Sequence, residues 1–173
     1  MKYIISTGRF THYAADSTGK KGFPPFRVST FREDRKGNFW ILTWGGGLVK
    51  MDRDKGTFKI YQGNKSDPHD IHALPCNNVK GFQELADGRI LLGFFEEKNP
   101  NALPCFFDPV KEIFTPFPLK DYLVHITPYE AFQIDAAIKI DNFIYEDTYG
   151  NFWFGTYSCL IQLDNRNKTA SRI

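Results

Sequence analysis

Few residues of this sequence are spaced as a reaction centre requires. The best metal-ligand types stand in Asp67-Pro68-His69-Asp70-Ile71-His72, where two histidines three apart are flanked by carboxylates. That spacing suits a helix, but Pro68 and the nearby Asn and Ser residues make the segment a solvated loop. Glu96-Glu97 offers paired carboxylates, yet neighbours on a strand point to opposite sides, and no partner completes an acid–base pair. The sequence holds no Gly-x-Ser-x-Gly elbow, no P-loop and no HExxH zinc helix. Gly45-Gly46-Gly47 reads as a flexible turn, not a phosphate cradle, because no helix follows it. Cys76, Cys105 and Cys159 are an odd set without a CxxC pair. They read as three buried, inert thiols, with one disulfide and a spare thiol as the alternative. No metal, no cofactor and no catalytic residue is expected.

Aromatic and amide chemistry is better represented. Trp44 and Tyr157, with Glu96, Glu97 and Asn99, are the residue types that bind a sugar. The C–H face of a sugar stacks on an aromatic ring, while its hydroxyls need paired acceptors and donors. The competing reading is that Trp44 and Tyr157 only pack between structural units. Which reading applies depends on the elements that place them.

The chain has 173 residues, enough for one domain with its own core. A hydrophobic share of 42% with 24% charged residues excludes a disordered chain. A net charge of +2 without a basic block gives no footprint for nucleic acid. The longest apolar run, Ile90-Leu91-Leu92-Gly93-Phe94-Phe95, is far short of the roughly 20 residues that span a bilayer. Met1-Lys2-Tyr3-Ile4-Ile5-Ser6 lacks a long apolar stretch and does not read as a secretory signal. Seventeen Phe and frequent Gly and Pro favour short strands and turns over long helices.

The chain repeats itself. Glu33-Asp34-Arg35-Lys36-Gly37-Asn38-Phe39-Trp40-Ile41-Leu42-Thr43 matches Glu146-Asp147-Thr148-Tyr149-Gly150-Asn151-Phe152-Trp153-Phe154-Gly155-Thr156 at seven of eleven positions. A weaker middle copy starts at Glu84, with Leu91 in place of the Trp. The anchor glycines Gly37, Gly88 and Gly150 are 51 and 62 residues apart. Each copy reads as four short strands: one ending in the Glu, a tight Asp/Gly turn, one carrying the Trp or Leu, one ending in Asp, and one of the Thr-Phe-x-x-Tyr type. Four strands at this period are the signature of a β-propeller blade.

The predicted fold is therefore all-β: a single partial propeller over 1–173, with three four-stranded blades at about 27–61, 79–117 and 139–173. Residues 8–13 read as the outer strand of an incomplete preceding blade. One short helix is predicted around Pro128 to Ala137. Trp40 and Trp153, on a repeated strand position, are predicted core residues. Glu33, Glu84 and Glu146 recur once per blade and are predicted to hydrogen-bond an adjacent turn rather than to catalyse. Closed propellers need about four to eight blades, so three leave two raw faces. The chain either belongs to a larger propeller or closes with copies of itself.

Blade topology also sorts the loops. Connections between second and third strands share one face of the ring with connections from one blade to the next. The middle blade carries about five extra residues near Glu96-Glu97-Lys98-Asn99-Pro100-Asn101, and Asp108 to Gly150 is also long. Both insertions fall on that face, which marks it as a binding face, with neutral loop drift as the alternative. Trp44, Tyr157, Glu96, Glu97 and Asn99 are predicted to share it.

The pattern Glu-Asp-x-x-Gly-Asn-Phe-Trp-Ile/Phe-x-Thr, then Gly-Leu or Cys-Leu, then a strand ending in Asp, then Phe-x-x-Tyr, resembles the two-component regulator propeller repeat over roughly residues 27–165. That resemblance implies the periplasmic sensor part of a hybrid two-component system of Bacteroides-type bacteria. Such receptors carry propellers, an immunoglobulin-like domain, a membrane helix and a histidine kinase, and respond to oligosaccharides. The sequence itself shows no signal peptide, membrane helix or kinase motif. The expected function is thus non-enzymatic ligand recognition, with an oligosaccharide as partner. The alternatives are a propeller-type polysaccharide lyase or glycoside hydrolase, or a purely structural truncated product.

Overall fold

Short runs of β-branched and aromatic residues alternate with turns rich in Asp, Asn and Gly, and each run forms a strand. The structure, a computed structural model, describes residues 2–13, 16, 22–67, 69–95, 103–140, 143–156 and 159–173. The strands in chain order are β1 (Lys2–Ile4), β2 (Arg9–Thr11), β3 (Arg27–Glu33), β4 (Phe39–Trp44), β5 (Leu48–Asp52), β6 (Thr57–Tyr61), β7 (Val79–Glu84), β8 (Ile90–Phe94), β9 (Cys105–Asp108) and β10 (Ile113–Pro116). A 3-10 turn (Leu119–Tyr122) and helix α1 (Pro128–Ile140) precede β11 (Phe143–Glu146), β12 (Phe152–Gly155), β13 (Leu160–Asp164) and β14 (Thr169–Arg172).

Three antiparallel sheets follow the repeats: β3-β4-β5-β6, β7-β8-β9-β10 and β11-β12-β13-β14, each strand paired with the next. These are three blades of a partial propeller. The strand expected near residues 8–13 is β2, and it pairs with β1 as Lys2↔Thr11 and Ile4↔Arg9. The sequence reading did not place β1. The hairpin β1–β2 turns through Gly8 at φ 63°, as β5–β6 turns through Gly56 at φ 67°. The two strands form a sheet of their own, separate from the three blades.

The turn between third and fourth strands has one construction. The Asp that ends each third strand accepts two backbone N–H groups through one oxygen: Asp52 from Asp54 and Lys55, Asp108 from Val110 and Lys111, Asp164 from Arg166 and Asn167. The chain then passes through a left-handed residue, Gly56, Glu112 or Lys168. The first strands repeat as well, since β3 is bulged between Val28 and Thr30 and β7 between Val79 and Gly81.

Apolar side chains meet between successive sheets. Trp40, Leu42 and Leu48 of the first blade pack with Ile90, Leu92 and Phe107 of the second. Leu85 and Leu91 of the second pack with Phe152, Phe154, Ile161 and Leu163 of the third. Ile41, Val49 and Met51 face the other way, under Tyr13 and Phe23 of the N-terminal segment. Trp40 is fully buried, as predicted. Trp153 is only half-buried, because no described residue of a following blade covers it.

The predicted helix is α1. Thr127 and Glu130 form a capping box, with Thr127 Oγ1 donating to Glu130 Oε2 at 2.7 Å and Glu130 N donating back at 3.3 Å. Pro128 occupies the first helical position, where a missing N–H costs nothing. Ile134 and Ile138 anchor the helix in the core between the second and third blades. Cys76 and Cys105 are buried free thiols, and burial pushes the Cys105 thiol far up from its ordinary value. Cys159 departs from the expectation of three buried thiols. It is half-buried and lies 3.2 Å from Thr156 Oγ1.

Candidate ligand-binding site

Two blades bring their second strands to the same face, and the last aromatic of each meets the other. Trp44 ends β4. Phe95 follows β8, 51 residues later, at the equivalent place in the next blade. Their ring centroids are 5.3 Å apart with the planes at 67°, an edge-to-face arrangement suited to the ring quadrupoles. Both rings are half-buried.

The backbone around them is tied down. Asn78, just before β7, spans the blade junction. Its Oδ1 accepts Gly45 N–H at 2.7 Å, and its carbonyl accepts Phe95 N–H at 3.0 Å. The Asn77 carbonyl accepts Gly47 N–H at 2.9 Å. The turn after Trp44 is therefore packed rather than flexible as expected. A Cβ at Gly47, where φ is 80°, would lie 2.0 Å from the Tyr61 carbonyl, and one at Gly46 would lie 2.2 Å from the Phe26 ring. Only glycine fits either position.

Two cations complete the cluster. Arg27 opens β3 and stands directly across from Trp44 in the β3–β4 register. Its guanidinium lies over the Trp44 ring at 6.0 Å. Lys80 lies over the Phe95 ring at 5.1 Å. β3 and β7 are the first, edge strands of their sheets and contact each other, so the group sits where these two edges meet this face.

Of the residues predicted to bind ligand, Trp44 is in this cluster. Tyr157, Glu96, Glu97 and Asn99 lie outside the described residues. Sequence reasoning missed Phe95, Arg27 and Lys80. The repeat period gives Phe95, because 51 residues separate Gly37 from Gly88 and also Trp44 from Phe95. Tyr157 holds the same position again, 113 residues after Trp44, as Gly150 follows Gly37 by 113. One aromatic per blade thus stands at this position in sequence. Arg27 and Lys80 belong to no repeat pattern and become visible only through their contacts.

The other chemistry considered from sequence is used structurally. Asp67 and Asp70 accept the backbone N–H groups of His69 and His72 at 2.9 Å each. His72 donates Nδ1–H to the Glu112 carbonyl at 2.9 Å, holding this loop against the second blade. The carboxylate of Glu112 takes Lys59 Nζ at 2.6 Å and the Tyr61 hydroxyl at 2.9 Å, and these bonds hold it below the usual carboxylate range. A cleft of about 370 Å³ runs along these residues. Among the described residues, no group of three His, Cys, Asp or Glu side chains is arranged to hold a metal ion.

Two of the three recurring glutamates bridge blades. Glu84 Oε2 accepts Arg35 N–H of the first blade at 2.8 Å, and Glu146 Oε2 accepts Ala86 N–H of the second at 2.9 Å. Arg35 and Ala86 occupy the same place in their turns. Glu33 instead takes Arg53 of its own blade, at 2.7 Å.

Solved structures that share this fold include extracellular domains from two-component systems. Over 98% of its length the chain matches 20% of the extracellular domain of a hybrid two-component system from B. thetaiotaomicron, with a TM-score of 0.64 and 20% identity. The chain shares the fold of part of this domain, a partial propeller. A second such extracellular domain from the same organism gives a TM-score of 0.59 at 15% identity, over 85% of this chain and 18% of that one. The chain spans about a fifth of the length of the structures it matches. No family model and no curated protein matches the sequence. Among the described residues, no helix is long and apolar enough to cross a membrane.

Proposed function

We propose that this chain is a ligand-recognition portion of a periplasmic sensor propeller, that its ligand is a carbohydrate, and that it performs no catalysis of its own. The observation that carries this reading is the Trp44–Phe95 pair, held at a blade junction and flanked by Arg27 and Lys80. Half-buried aromatic rings on a fixed backbone offer a sugar an apolar face without the entropy cost of ordering a loop. Nearby amides and charged groups can pair its hydroxyls. On this reading Tyr157, Glu96, Glu97 and Asn99 extend the same surface. The sensor's remaining blades, from the same receptor or from further copies of this chain, cover the open faces.

The test is a panel of neutral and acidic oligosaccharides titrated by calorimetry against the chain and its Trp44→Ala and Phe95→Ala variants. Binding is expected to weaken about 3- to 10-fold in each variant, the worth of one aromatic contact. Mass spectrometry of the recovered sugars is expected to show no shortened product. Unchanged affinity in both variants would remove the site assignment, and cleavage would remove the non-enzymatic reading.

A further inference from the structure

We infer that the ligand at the Trp44–Phe95 junction carries an acidic group, a carboxylate or a sulfate on the sugar, and that Arg27 receives it. This inference rests on the carbohydrate reading above and narrows it.

Three arginines of this chain hold carboxylates, while Arg32 and Arg172 hydrogen-bond neutral oxygens. Arg35 takes Glu84 at 3.0 Å, Arg53 takes Glu33 at 2.7 Å and Arg89 takes Asp87 at 2.7 Å. Arg27 differs. It is exposed, and it makes no ion pair among the described residues. Its contact is the Trp44 ring. A guanidinium is a planar fork of donors that matches the paired oxygens of a carboxylate or sulfate. A guanidinium beside an aromatic ring has less freedom to lose than one in open solvent.

The sheet fixes the spacing. Arg27 and Trp44 are direct cross-strand partners, so cation and stacking surface stand side by side on two strands of one blade. A pyranose whose C–H face lies on the aromatic pair carries its ring substituents at the rim of that pair, within reach of a neighbouring side chain. A neutral sugar uses the aromatic pair but has no partner for the charge on Arg27, whereas an acidic sugar uses both.

The experiment compares three tetrasaccharides built on related rings: neutral galactotetraose, tetragalacturonate and a sulfated galactan tetrasaccharide. Each is titrated at low and high salt against the full chain and against Arg27→Gln, Arg27→Lys and Trp44→Ala. A wider array of neutral and acidic glycans runs in parallel. At least one acidic class is expected to bind tighter than its neutral counterpart. That preference is expected to fall about tenfold in Arg27→Gln, to recover partly in Arg27→Lys, and to shrink in high salt. The two acidic arms separate carboxylate from sulfate. Arg27 is exposed at a strand end, and an unchanged thermal midpoint will show that its variants fold.

Neutral glycans binding through Trp44 with no effect of Arg27→Gln would overturn the acidic assignment and leave the carbohydrate reading standing. No binding by any glycan across the array would remove the carbohydrate reading, and this inference with it. Acidic glycans binding equally well to Arg27→Gln would move the recognition to another cation and overturn the role of Arg27.

Discussion

The indole Nε1 of Trp40 donates to Asp34 Oδ2 at 2.9 Å, and Trp153 repeats the bond to Asp147 at the same distance. The middle blade has Leu85 and Leu91 at these two places, both buried. Polar partners appear together or are lost together, which is the outcome expected when an unpaired buried donor or carboxylate is costly. Asp34 also accepts the Asn38 and Lys36 backbone N–H groups and Asn38 Nδ2. It therefore closes its own turn and anchors the Trp at once. Asp34→Ala leaves Trp40 Nε1 and two backbone donors without their acceptor. The expected cost is about 2–4 kcal/mol in denaturant unfolding. A loss below about 0.5 kcal/mol would show that water replaces the carboxylate freely.

The same carboxyl makes a pH prediction. Burial pushes Asp34 upward, but hydrogen bonds from Trp40, Asn38 and Lys36 outweigh it and hold the group below 3.8. A folded value below the unfolded one means that the unfolded chain binds the proton more tightly. The contribution is complete above 3.8 and is lost as pH falls through the lower folded value. The stability gap between the native chain and Asp34→Asn is therefore expected to narrow as pH drops from about 6 to about 3. Thermal midpoints measured across that range check it. A gap that stays constant with pH would disprove the linkage.

Blade joints have their own lock in Glu84, whose carboxylate takes both the backbone N–H and the Nε of Arg35. Its side chain is 17% exposed, so solvent screens the bond only in part. Glu84→Gln keeps one acceptor and is expected to cost less than Glu84→Ala, at about 1–2 kcal/mol for the latter. Hydrogen exchange at Arg35 is expected to quicken in Glu84→Ala while amides inside β8 stay protected. Equal exchange at Arg35 in both proteins would mean that the joint does not depend on this contact.

The fold was legible because a propeller writes its geometry once per blade. Gly37, Gly88 and Gly150 mark the same turn, and Trp40 and Trp153 the same core position. β1 was not legible, since Lys2–Ile4 has only its backbone pairing with β2 to identify it. The site was harder to read. Trp44 stands out by residue type, but Phe95 looks like part of an apolar run until the repeat period is counted across it. Arg27 carries no periodic signal, because its role comes from a cross-strand neighbour 17 residues away. The glycines 45–47 look flexible in sequence, although Asn78 Oδ1 and the Asn77 carbonyl hold the turn, and the Phe26 ring and the Tyr61 carbonyl leave no room for a Cβ at Gly46 and Gly47.

The third blade has an open side. Trp40 is covered by Phe107 of the next blade at 5.6 Å between ring centroids, and Leu91 is covered in turn by the third blade. Trp153 faces the same way with no such cover among the described residues, and beside it Phe143 is 75% and Tyr145 56% exposed. Two of the three blades thus bury an apolar flank that the third presents to solvent. An exposed flank of this kind drives association. Light scattering on the chain alone is expected to show mass rising with concentration, and Phe143→Lys/Tyr145→Lys to hold it at the monomer. Both side chains already lie in solvent, so the substitutions should leave the fold unchanged by circular dichroism. If the native chain stays monomeric at high concentration, this flank is not a docking surface in the isolated chain.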